Sequence, residues 1–310
     1  MNLFKNLAKT YFKVIFIHKT KKLMTKNKSE KHFDKIAHSL REEAYANENT
    51  MNAVRLKITQ SILKKYPLGN LLDIGCGGGN TTYSFLKDGW SAVGVDFSAN
   101  MVKEANTYIK SKHGSDNLIK KATATDLSIF PDASFDVVLC LGVLYYVEDV
   151  DAAYKEIFRV LKPGGIFICS HQNELFDLFT FNKYTLRFFR NHVYPLVDGE
   201  KESREIELEN LIKSLISFPE EPKNHDKGSS RDTVMTYPEN PLTFPGKMKS
   251  YGFTVKSEPY YHGFHLMPPL TMKKETHLKV ESEQKQYKLR NDWRGLFMAA
   301  HFLFEMQKSG

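Results

Sequence analysis

The chain has 310 residues, of which 41% are hydrophobic and 26% are charged. This length and composition are ample for a buried core and exclude a disordered chain, so we predict a globular protein. The formal net charge of +8 lies in residues 1–31, which contain nine lysines and one acid, while the remaining 35 basic and 35 acidic residues cancel. Because a nucleic-acid enzyme usually presents a basic face on its catalytic body, we expect no nucleic-acid partner.

The first 31 residues place apolar side chains among the lysines. This pattern predicts a basic amphipathic or disordered segment, with residues 1–23 able to lie on an anionic membrane surface. The segment is too short and too charged to span a bilayer, and its interrupted apolar stretch argues against a secretory signal. A start of translation at Met24 is an alternative. We expect a cytoplasmic protein, with peripheral contact at the inner membrane surface as a second hypothesis.

Residues 32–66 show apolar positions at helical spacing and predict one or two helices before the first strand. A strand then ends in a glycine-rich turn, in which Asp73 precedes glycines at the alternate positions 75, 77 and 79. A dinucleotide-binding turn would place its third glycine where this chain has Asn80. The turn therefore departs from the dinucleotide-binding pattern, and its glycines leave main chain without a Cβ, against which a ligand can lie.

A second short apolar run, residues 92–96, ends in Asp96 about 20 residues beyond the turn, where a ribose-binding acid is expected. Ser98 is a candidate N-cap of the following helix. Further along the chain we predict an acidic turn at 124–136 and a strand at 137–141. The segment Arg159–Gly165 then precedes a predicted strand at 166–170. In that segment Pro163 cannot continue a helix and Gly164 can adopt positive φ, so it predicts a helix-to-strand turn.

These four pieces, in this order, resemble the class I S-adenosylmethionine (SAM) dependent methyltransferases of the small-molecule type. The resemblance covers residues 60–170 well, the last strands loosely and the remainder hardly at all. It implies an α/β fold: a Rossmann-like, seven-stranded, mostly parallel sheet with helices on both faces, plus a substrate-side insertion. It also implies SAM as cofactor, and in related enzymes a helix preceding the first strand often covers that cofactor, which makes Tyr45 and Arg55 candidates for ligand contact.

The resemblance also implies roles for individual residues. Asp73 would lie near the amino group of SAM, Asp96 would accept the ribose hydroxyls, Asp126 would bind the adenine amino group, and the main chain at Leu127 would face the ring. The full predicted cofactor set is Asp73, Gly75, Cys76, Gly77, Gly79, Asp96, Phe97, Met101, Asp126, Leu127 and Leu141.

We predict five regions. They are the N-terminal segment 1–31, cofactor-covering helices at 32–66, a SAM-binding core at 67–170, a substrate lid insertion at 171–250, and the last strands with a second insertion at 251–310. Strands are predicted at 252–257 and 296–304. The lid is aromatic and basic in its first half, whereas residues 218–245 are polar and predict a mobile loop.

Candidate catalytic and substrate residues lie near the predicted strand ends. His171 follows the fifth strand and is the first candidate for a general base, followed by His262 and His265. Tyr145, Tyr146 and Tyr261 are candidates for substrate contact. An Asn-Pro-Pro-Tyr motif, typical of amino-methylating relatives, does not follow the fourth strand, which favours oxygen or carbon as the acceptor atom.

The three cysteines, Cys76, Cys140 and Cys169, have no paired spacing and no nearby histidine cluster, so we expect reduced buried thiols and no metal. The leading hypothesis is a small-molecule O-methyltransferase acting on a sugar or surface-glycan precursor. Alternatives are a lipid or quinone methyltransferase at the membrane surface and a SAM-binding regulatory protein without turnover. The oligomeric state is left open.

Overall fold

The computed structural model describes residues 33–34, 50–180, 183–193, 195, 206, 210, 236–264 and 287–310. The predicted segment 1–31, Tyr45 and the candidate base His265 lie outside this described part. The strands are β1 (Asn70–Ile74), β2 (Ser91–Asp96), β3 (Ile119–Lys121), β4 (Phe135–Leu141), β5 (Leu161–Gln172), β6 (Phe253–Val255), β7 (Tyr260–Phe264) and β8 (Ala299–Lys308). The helices are α1 (Met51–Leu63), α2 (Asn80–Lys87), α3 (Ala99–His113), α4 (Val150–Val160), α5 (Glu174–Leu178), α6 (Lys183–His192), α7 (Phe244–Ser250) and α8 (Gly295–Met298), with a 3-10 helix at Leu144–Tyr146.

The strands form one sheet in the order β3-β2-β1-β4-β5-β8-β6. Strands β1 to β5 pair in parallel and β8 pairs antiparallel to β5. This confirms the predicted α/β fold with a largely parallel sheet flanked by helices. The carboxyl ends of the parallel strands and the start of β8 share one edge of the sheet, which is where open α/β sheets bind ligands.

The sheet has eight strands where the sequence predicted seven. Both β6 and β7 pair antiparallel with β8, at its end and at its beginning respectively. Residues 260–264, which we had placed in a second insertion, are therefore a strand that continues the edge begun by β6. The prediction included β6 and missed β7, because β7 has only five residues beyond a bend and shows no strand pattern of its own.

Two apolar cores cover the two faces of the sheet. One face packs against α1 through Val54, Ile58 and Ile62, and the other packs against α4 and α7 through Tyr154 and Phe244. Residues of β4 and β5 alternate between these cores, as side chains of a strand must. We call these the α1 face and the α4 face. A residue's place in a strand thus decides which of two separate environments it enters.

Several local predictions can be compared with the structure directly. Ser98 is the N-cap of α3, and its hydroxyl accepts the Met101 N–H at 3.1 Å. Gly164 has φ of 75°. The last strand begins at Ala299 rather than residue 296, because Gly295–Met298 form α8. Among the described residues no helix combines the length and the apolar character that a bilayer crossing needs.

The described end of the predicted mobile loop is fixed by main-chain hydrogen bonds. The Tyr237 N–H donates to the Tyr145 carbonyl at 2.7 Å, and the Glu239 N–H donates to the Gln172 carbonyl at 3.1 Å. The last two residues of the predicted loop, Phe244 and Pro245, belong to α7, and residues 236–243 run beside the end of β5. The polar composition of this segment gave no sign of these long-range bonds.

Candidate active site

The glycine turn after β1 has the backbone that its sequence predicts. Gly75, Gly77 and Gly79 have φ of 68°, 52° and 83°, a region that residues with a Cβ rarely adopt. A Cβ on Gly75 would lie 2.3 Å from Val143 Cγ2, so this glycine is also required for packing. A Cβ on Gly77 would meet no atom within 4 Å, so here the bare main chain faces outward and can be approached by a ligand.

Asp96, at the end of β2, lies directly beside this turn. Its carboxylate accepts the Gly77 N–H at 3.0 Å and the Ser98 N–H at 2.9 Å. Burial raises the pKa of Asp96, while the hydrogen bonds from Ser98 and Gly77 oppose the rise. A carboxylate has about four acceptor sites, so Asp96 can hold the turn and still accept a hydroxyl donor.

Asp73 is 2% exposed and accepts the Thr82 hydroxyl of α2 at 2.7 Å. Burial raises the pKa of Asp73 to about 6, against the Thr82 hydrogen bond and the charge of Arg55, which both lower it. A buried carboxylate with so little compensation favours a cationic partner. Asp73 is thus suited to bind an ammonium group at the end of β1.

Arg55 of α1 is a buried cation, and its positive charge lowers the pKa of the Asp73 carboxyl. Its side chain occupies the space that a Cβ on Gly142, after β4, would need, since that Cβ would lie 2.3 Å from an Arg55 Nη atom. The guanidinium donates to Asn52 Oδ1 at 2.7 Å, a neutral partner. A buried guanidinium has five N–H donors and favours an anion such as a carboxylate.

Phe33 and Asp34 lie over the start of α3. The Phe33 ring packs edge-on against Phe97, with centroids 5.7 Å apart, and against Tyr146 at 5.5 Å. Asp34 accepts a hydrogen bond from the Ser98 hydroxyl. The described piece of the predicted covering helix thus connects the loop after β2 with the loop after β4.

The predicted adenine-binding residues have a different arrangement from the one we expected. Asp126 is exposed, at a surface cavity of about 510 Å³ that it shares with Lys155 and Arg159 of α4. Both main-chain groups of Leu127 are bound by α4, since its N–H donates to Glu156 at 2.7 Å and its carbonyl accepts from Arg159 at 3.0 Å. The Leu127 side chain is buried. This geometry does not support a direct main-chain contact of Leu127 with the adenine ring.

Three further predicted cofactor residues have buried side chains, namely Leu141, Met101 and Cys76. Leu141 and Met101 are buried, at the end of β4 and in α3. Cys76 packs with Ala105 and Ile109, and burial raises its pKa. All three cysteines are buried and free, as predicted. Among the described residues no group of three or more His, Cys, Asp or Glu side chains is arranged to hold a metal ion.

The two predicted histidines that the structure describes, His171 and His262, do not converge. His171 on β5 points to the α4 face, where its Nε2 lies 3.3 Å from the Tyr154 hydroxyl and its ring packs on Phe244 at 4.9 Å. His262 on β7 pairs with His301 and lies on the α1 face, where its ring stacks on His301 at 5.4 Å. Burial lowers the pKa of each of the two predicted bases to about 3, with the charge of Lys247 adding to the effect at His171 and that of Arg55 at His262. The position of His171 beneath α7 does not support its role as base.

Tyr261 and the other two predicted tyrosines are also separated. Tyr261 is buried on the α4 face, against Gly295 of α8. Tyr145 and Tyr146 form the 3-10 helix after β4, and their ring centroids are 4.5 Å apart. The Tyr145 ring lies 6.0 Å from the ring of His301. His301 is absent from the predicted site, although its single polar side chain in the apolar run at the start of β8 is a signal that could have identified it.

Taken together, the turn, the two buried carboxylates and the buried arginine match the functional groups of SAM. Asp73 fits the ammonium, Arg55 the carboxylate and Asp96 the ribose hydroxyls, while Gly77 leaves main chain bare for the tail. The fold is Rossmann-like, and these groups suit SAM as a ligand.

Comparisons with known proteins show similarity to methyltransferases over part of the chain. Residues 72–169 match the family model described as a methyltransferase domain. A methyltransferase of Bacillus subtilis, YcgJ, is 34% identical over 128 residues, which cover 41% of this chain and 48% of the relative. The ubiquinone biosynthesis O-methyltransferase of a Bradyrhizobium species is 37% identical over 103 residues, covering 33% and 40%. The chain therefore spans less than half the length of these curated relatives.

Two solved structures show the same fold. A SAM-dependent methyltransferase from Thermotoga maritima has a TM-score of 0.51 and 17% identity, covering 89% of this chain and 98% of its own. A chain in the complex of the Haloferax volcanii Trm112 methyltransferase activator with a methyltransferase has a TM-score of 0.50 and 18% identity, covering 90% and 98%. Residues 72–169 are thus similar to a methyltransferase domain, and SAM is the cofactor that this similarity implies.

Proposed function

We propose that this chain transfers a methyl group from SAM to a hydroxyl oxygen of a small molecule. The observation that carries the proposal is the pair of buried carboxylates, Asp73 before the glycine turn and Asp96 bound to the Gly77 N–H, together with the bare main chain at Gly77. Two buried acids so close to each other are costly to a fold unless they serve a ligand with complementary groups.

The chain's own residues would position the cofactor and exclude water. SAM supplies a methyl group that its positive sulfur has already activated for in-line displacement. Asp73 would bind the ammonium, Arg55 the carboxylate and Asp96 the ribose, which fixes the cofactor at three points and so aligns the reacting carbon. Phe33, between Phe97 and Tyr146, would limit the access of water to the reacting groups.

The acceptor was first predicted to be a sugar because the insertion is aromatic and basic. In the structure Arg187 of that insertion is paired with the buried Asp177, and Phe176 is buried. These residues support packing of the insertion rather than sugar recognition. Several relatives are named as O-methyltransferases of ubiquinone biosynthesis. These names support an oxygen acceptor, and they favour a quinone-like ring over a sugar. Peripheral membrane contact of residues 1–23 remains a proposal that goes with the lipid or quinone alternative.

The first test is SAM binding by isothermal titration calorimetry. We expect Asp73→Asn and Asp96→Asn each to weaken SAM binding roughly 10- to 100-fold, since each removes charge-assisted hydrogen bonds worth about 1.5–3 kcal/mol. The matched control is Asp116→Asn, because Asp116 is an exposed acid that pairs with Lys110. Equal affinity of all four proteins would refute the site.

Turnover is tested with methyl-labelled SAM and an extract of source cells, separated into organic, water-soluble and macromolecular fractions. Label in the organic fraction would support a lipid or quinone acceptor, and label in the water-soluble or glycan fraction would support a sugar. Tight SAM binding with no label in any fraction would favour a SAM-binding regulatory protein.

A further inference from the structure

A cavity of about 670 Å³ lies at the opposite edge of the sheet from the cofactor site. It is bordered by the C-terminal parts of α1 and α2, by residues that precede β1 and β2, and by Tyr287. Because Leu68 and Trp90 precede parallel strands, the cavity lies at the amino ends of these strands, whereas Asp73 and Asp96 lie at their carboxyl ends. Its volume is in the range of small-molecule sites. We call it the α1–α2 cavity.

The inner wall of the α1–α2 cavity is apolar. Leu63, Phe85 and Trp90 line it and are 2%, 0% and 5% exposed. Leu68 also lines it and is 61% exposed, with its side chain over Gly89, where a Cβ would lie 3.1 Å from Leu68 Cδ1. An exposed leucine beside buried aromatic rings offers apolar area that a ligand would remove from water. The cavity therefore favours a ligand with an apolar body.

A polar stripe of α1 and its C-cap forms another wall of the cavity. Four side chains line the cavity at spacings of three and four residues, which place them on one face of the helix: Lys57, Gln60, Ser61 and Lys64. The stripe is connected to the C-terminal part of the chain, because the Tyr287 hydroxyl donates to Ser61 Oγ at 2.8 Å. The Arg290 guanidinium lies 4.0 Å from the centre of the Tyr287 ring and helps to hold it there.

Two kinds of hydrogen-bond acceptor at the cavity are already engaged. Asp88 accepts from Gln60 Nε2 at 2.7 Å. Carbonyls near the ends of α1 and α2 accept main-chain N–H groups of the following turns, those of Tyr66 and Trp90, at 3.0 Å. These bonds reduce the partial negative charge that a helix presents at its C-terminal end. The cavity is therefore less suited to a cation than its two helix ends alone would suggest.

Donors at the cavity are available by contrast. The Ser61 hydroxyl accepts the bond from Tyr287 and keeps its own proton to donate. Among the described residues no ion pair of Lys64 and no hydrogen bond of the Trp90 indole N–H is recorded. This N–H is not one of the fully enclosed unpaired atoms of the same residues, so a ligand can reach it. An ammonium, a hydroxyl and an indole N–H around one cavity suit an anion.

We propose that the α1–α2 cavity binds a carboxylate with an apolar body, of the class of medium-chain fatty acids. The apolar body would lie against Phe85, Trp90 and Leu68. The carboxylate would accept hydrogen bonds from the Ser61 hydroxyl and the Lys64 ammonium. This site is separate from the cofactor site, so the inference does not depend on the proposed methyl transfer.

The test uses the full chain with Trp293→Phe, which removes the exposed second tryptophan and leaves Trp90 as the only one. The probe is decanoate below its micelle concentration. We expect a saturable shift of the Trp90 fluorescence to shorter wavelength, because the alkyl chain excludes water from the ring. Decyltrimethylammonium, which has the same chain and the opposite charge, should bind roughly tenfold more weakly.

A charge reversal locates the carboxylate. In the Trp293→Phe background, Lys64→Glu should weaken decanoate binding roughly 3- to 30-fold, since a repulsion replaces an attraction at an exposed position. The matched control is Lys103→Glu on α3, an exposed lysine that does not line the cavity, and it should leave the affinity unchanged.

Each contrary outcome is decisive. Decanoate that gives neither a saturable fluorescence change nor heat in calorimetry would overturn the site. Equal affinity for the cationic probe would overturn the anionic class of ligand, and equal affinity of Lys64→Glu would overturn the placement of the carboxylate. If SAM displaces decanoate, or if Asp96→Asn fails to bind it, decanoate occupies the cofactor site and the separate site is refuted. A protein that binds decanoate but no SAM would overturn only the proposed function.

Discussion

At the scale of single residues, Asp73 connects local sequence with ligand chemistry. Asp73 is the last residue but one of β1. Its side chain enters the space between the sheet and α2, where Thr82 provides a hydrogen bond and water has little access. Removal from water disfavours the ionised carboxylate, and the opposite charge of Arg55 offsets only a part of that cost. A bound ammonium would supply the missing compensation. Ligand binding and protonation of Asp73 should therefore compete.

This competition gives a prediction for SAM affinity as a function of pH. The pKa of Asp73 is raised to about 6, so the carboxylate is ionised above that pH and becomes neutral below it. We expect the SAM dissociation constant to be flat above pH 7 and to rise up to tenfold per pH unit below about pH 6. Calorimetry between pH 5 and 8 measures this, and Asp73→Asn should bind weakly without the pH dependence. A pH-independent affinity of the unchanged protein would contradict the role of Asp73.

At the scale of elements, α4 organises the turn between β3 and β4. The Arg159 guanidinium donates to the carbonyls of Phe130 and Leu127 and to the carboxylates of Glu156 and Asp132. Sequence reasoning included Arg159 only as the start of a motif before β5. Its contacts show a second role, since one side chain fixes a turn that lies about 30 residues earlier in the chain.

We predict that Arg159→Met lowers the free energy of unfolding by about 2 kcal/mol, because a partly buried, charge-assisted network loses its donor. The loosened turn should also weaken SAM binding by a few fold if residues 124–127 contact the cofactor. Urea unfolding and calorimetry measure the two effects. Lys155→Met on the same helix, an exposed position, is the control and should change neither. A stable Arg159→Met variant would show that the network contributes little.

At the scale of the whole molecule, two fully buried histidines should set the acid stability. His171 and His262 have pKa values lowered to about 3, whereas unfolded histidines bind a proton near pH 6.5. Between these pH values the unfolded chain binds more protons, so stability falls as pH decreases. The raised pKa of Asp73 acts in the opposite direction below about pH 6, because there the native state binds the extra proton. Near pH 5 these three groups together bind about one proton more in the unfolded chain than in the native state. The free energy of unfolding therefore falls by ~1.4 kcal/mol for each unit of decrease in pH.

The double variant His171→Leu/Tyr154→Phe tests this balance. It removes both partners of one buried contact, which leaves no polar group unpaired. We expect its stability, measured by urea unfolding between pH 7 and 4.5, to fall less steeply with decreasing pH than that of the unchanged protein. The exposed variant His113→Gln should keep the original slope. An identical slope in the double variant would mean that His171 takes up protons in the folded state.

The sequence by itself determined the features that depend on contiguous residues. The turn at residues 73–79, the acid at the end of β2 and the N-cap Ser98 are read within a few positions, because backbone conformation and strand ends are local properties. Together they were sufficient for the fold class and for the cofactor. The number of strands was not, since β6 and β7 become one edge only through pairing with β8.

Only the tertiary structure decided which candidate side chains share a site. His171 and His262 were both predicted as candidate bases, with His171 ranked first, yet they lie on opposite faces. The pairing of β5, β8 and β7 aligns Gln172, His301 and His262 and puts His171 one residue out of step. A shift of one residue in a strand reverses the face of its side chain. That register arises from contacts between residues more than 30 positions apart, which no local pattern records. The same register gives His301 its place beside Tyr145.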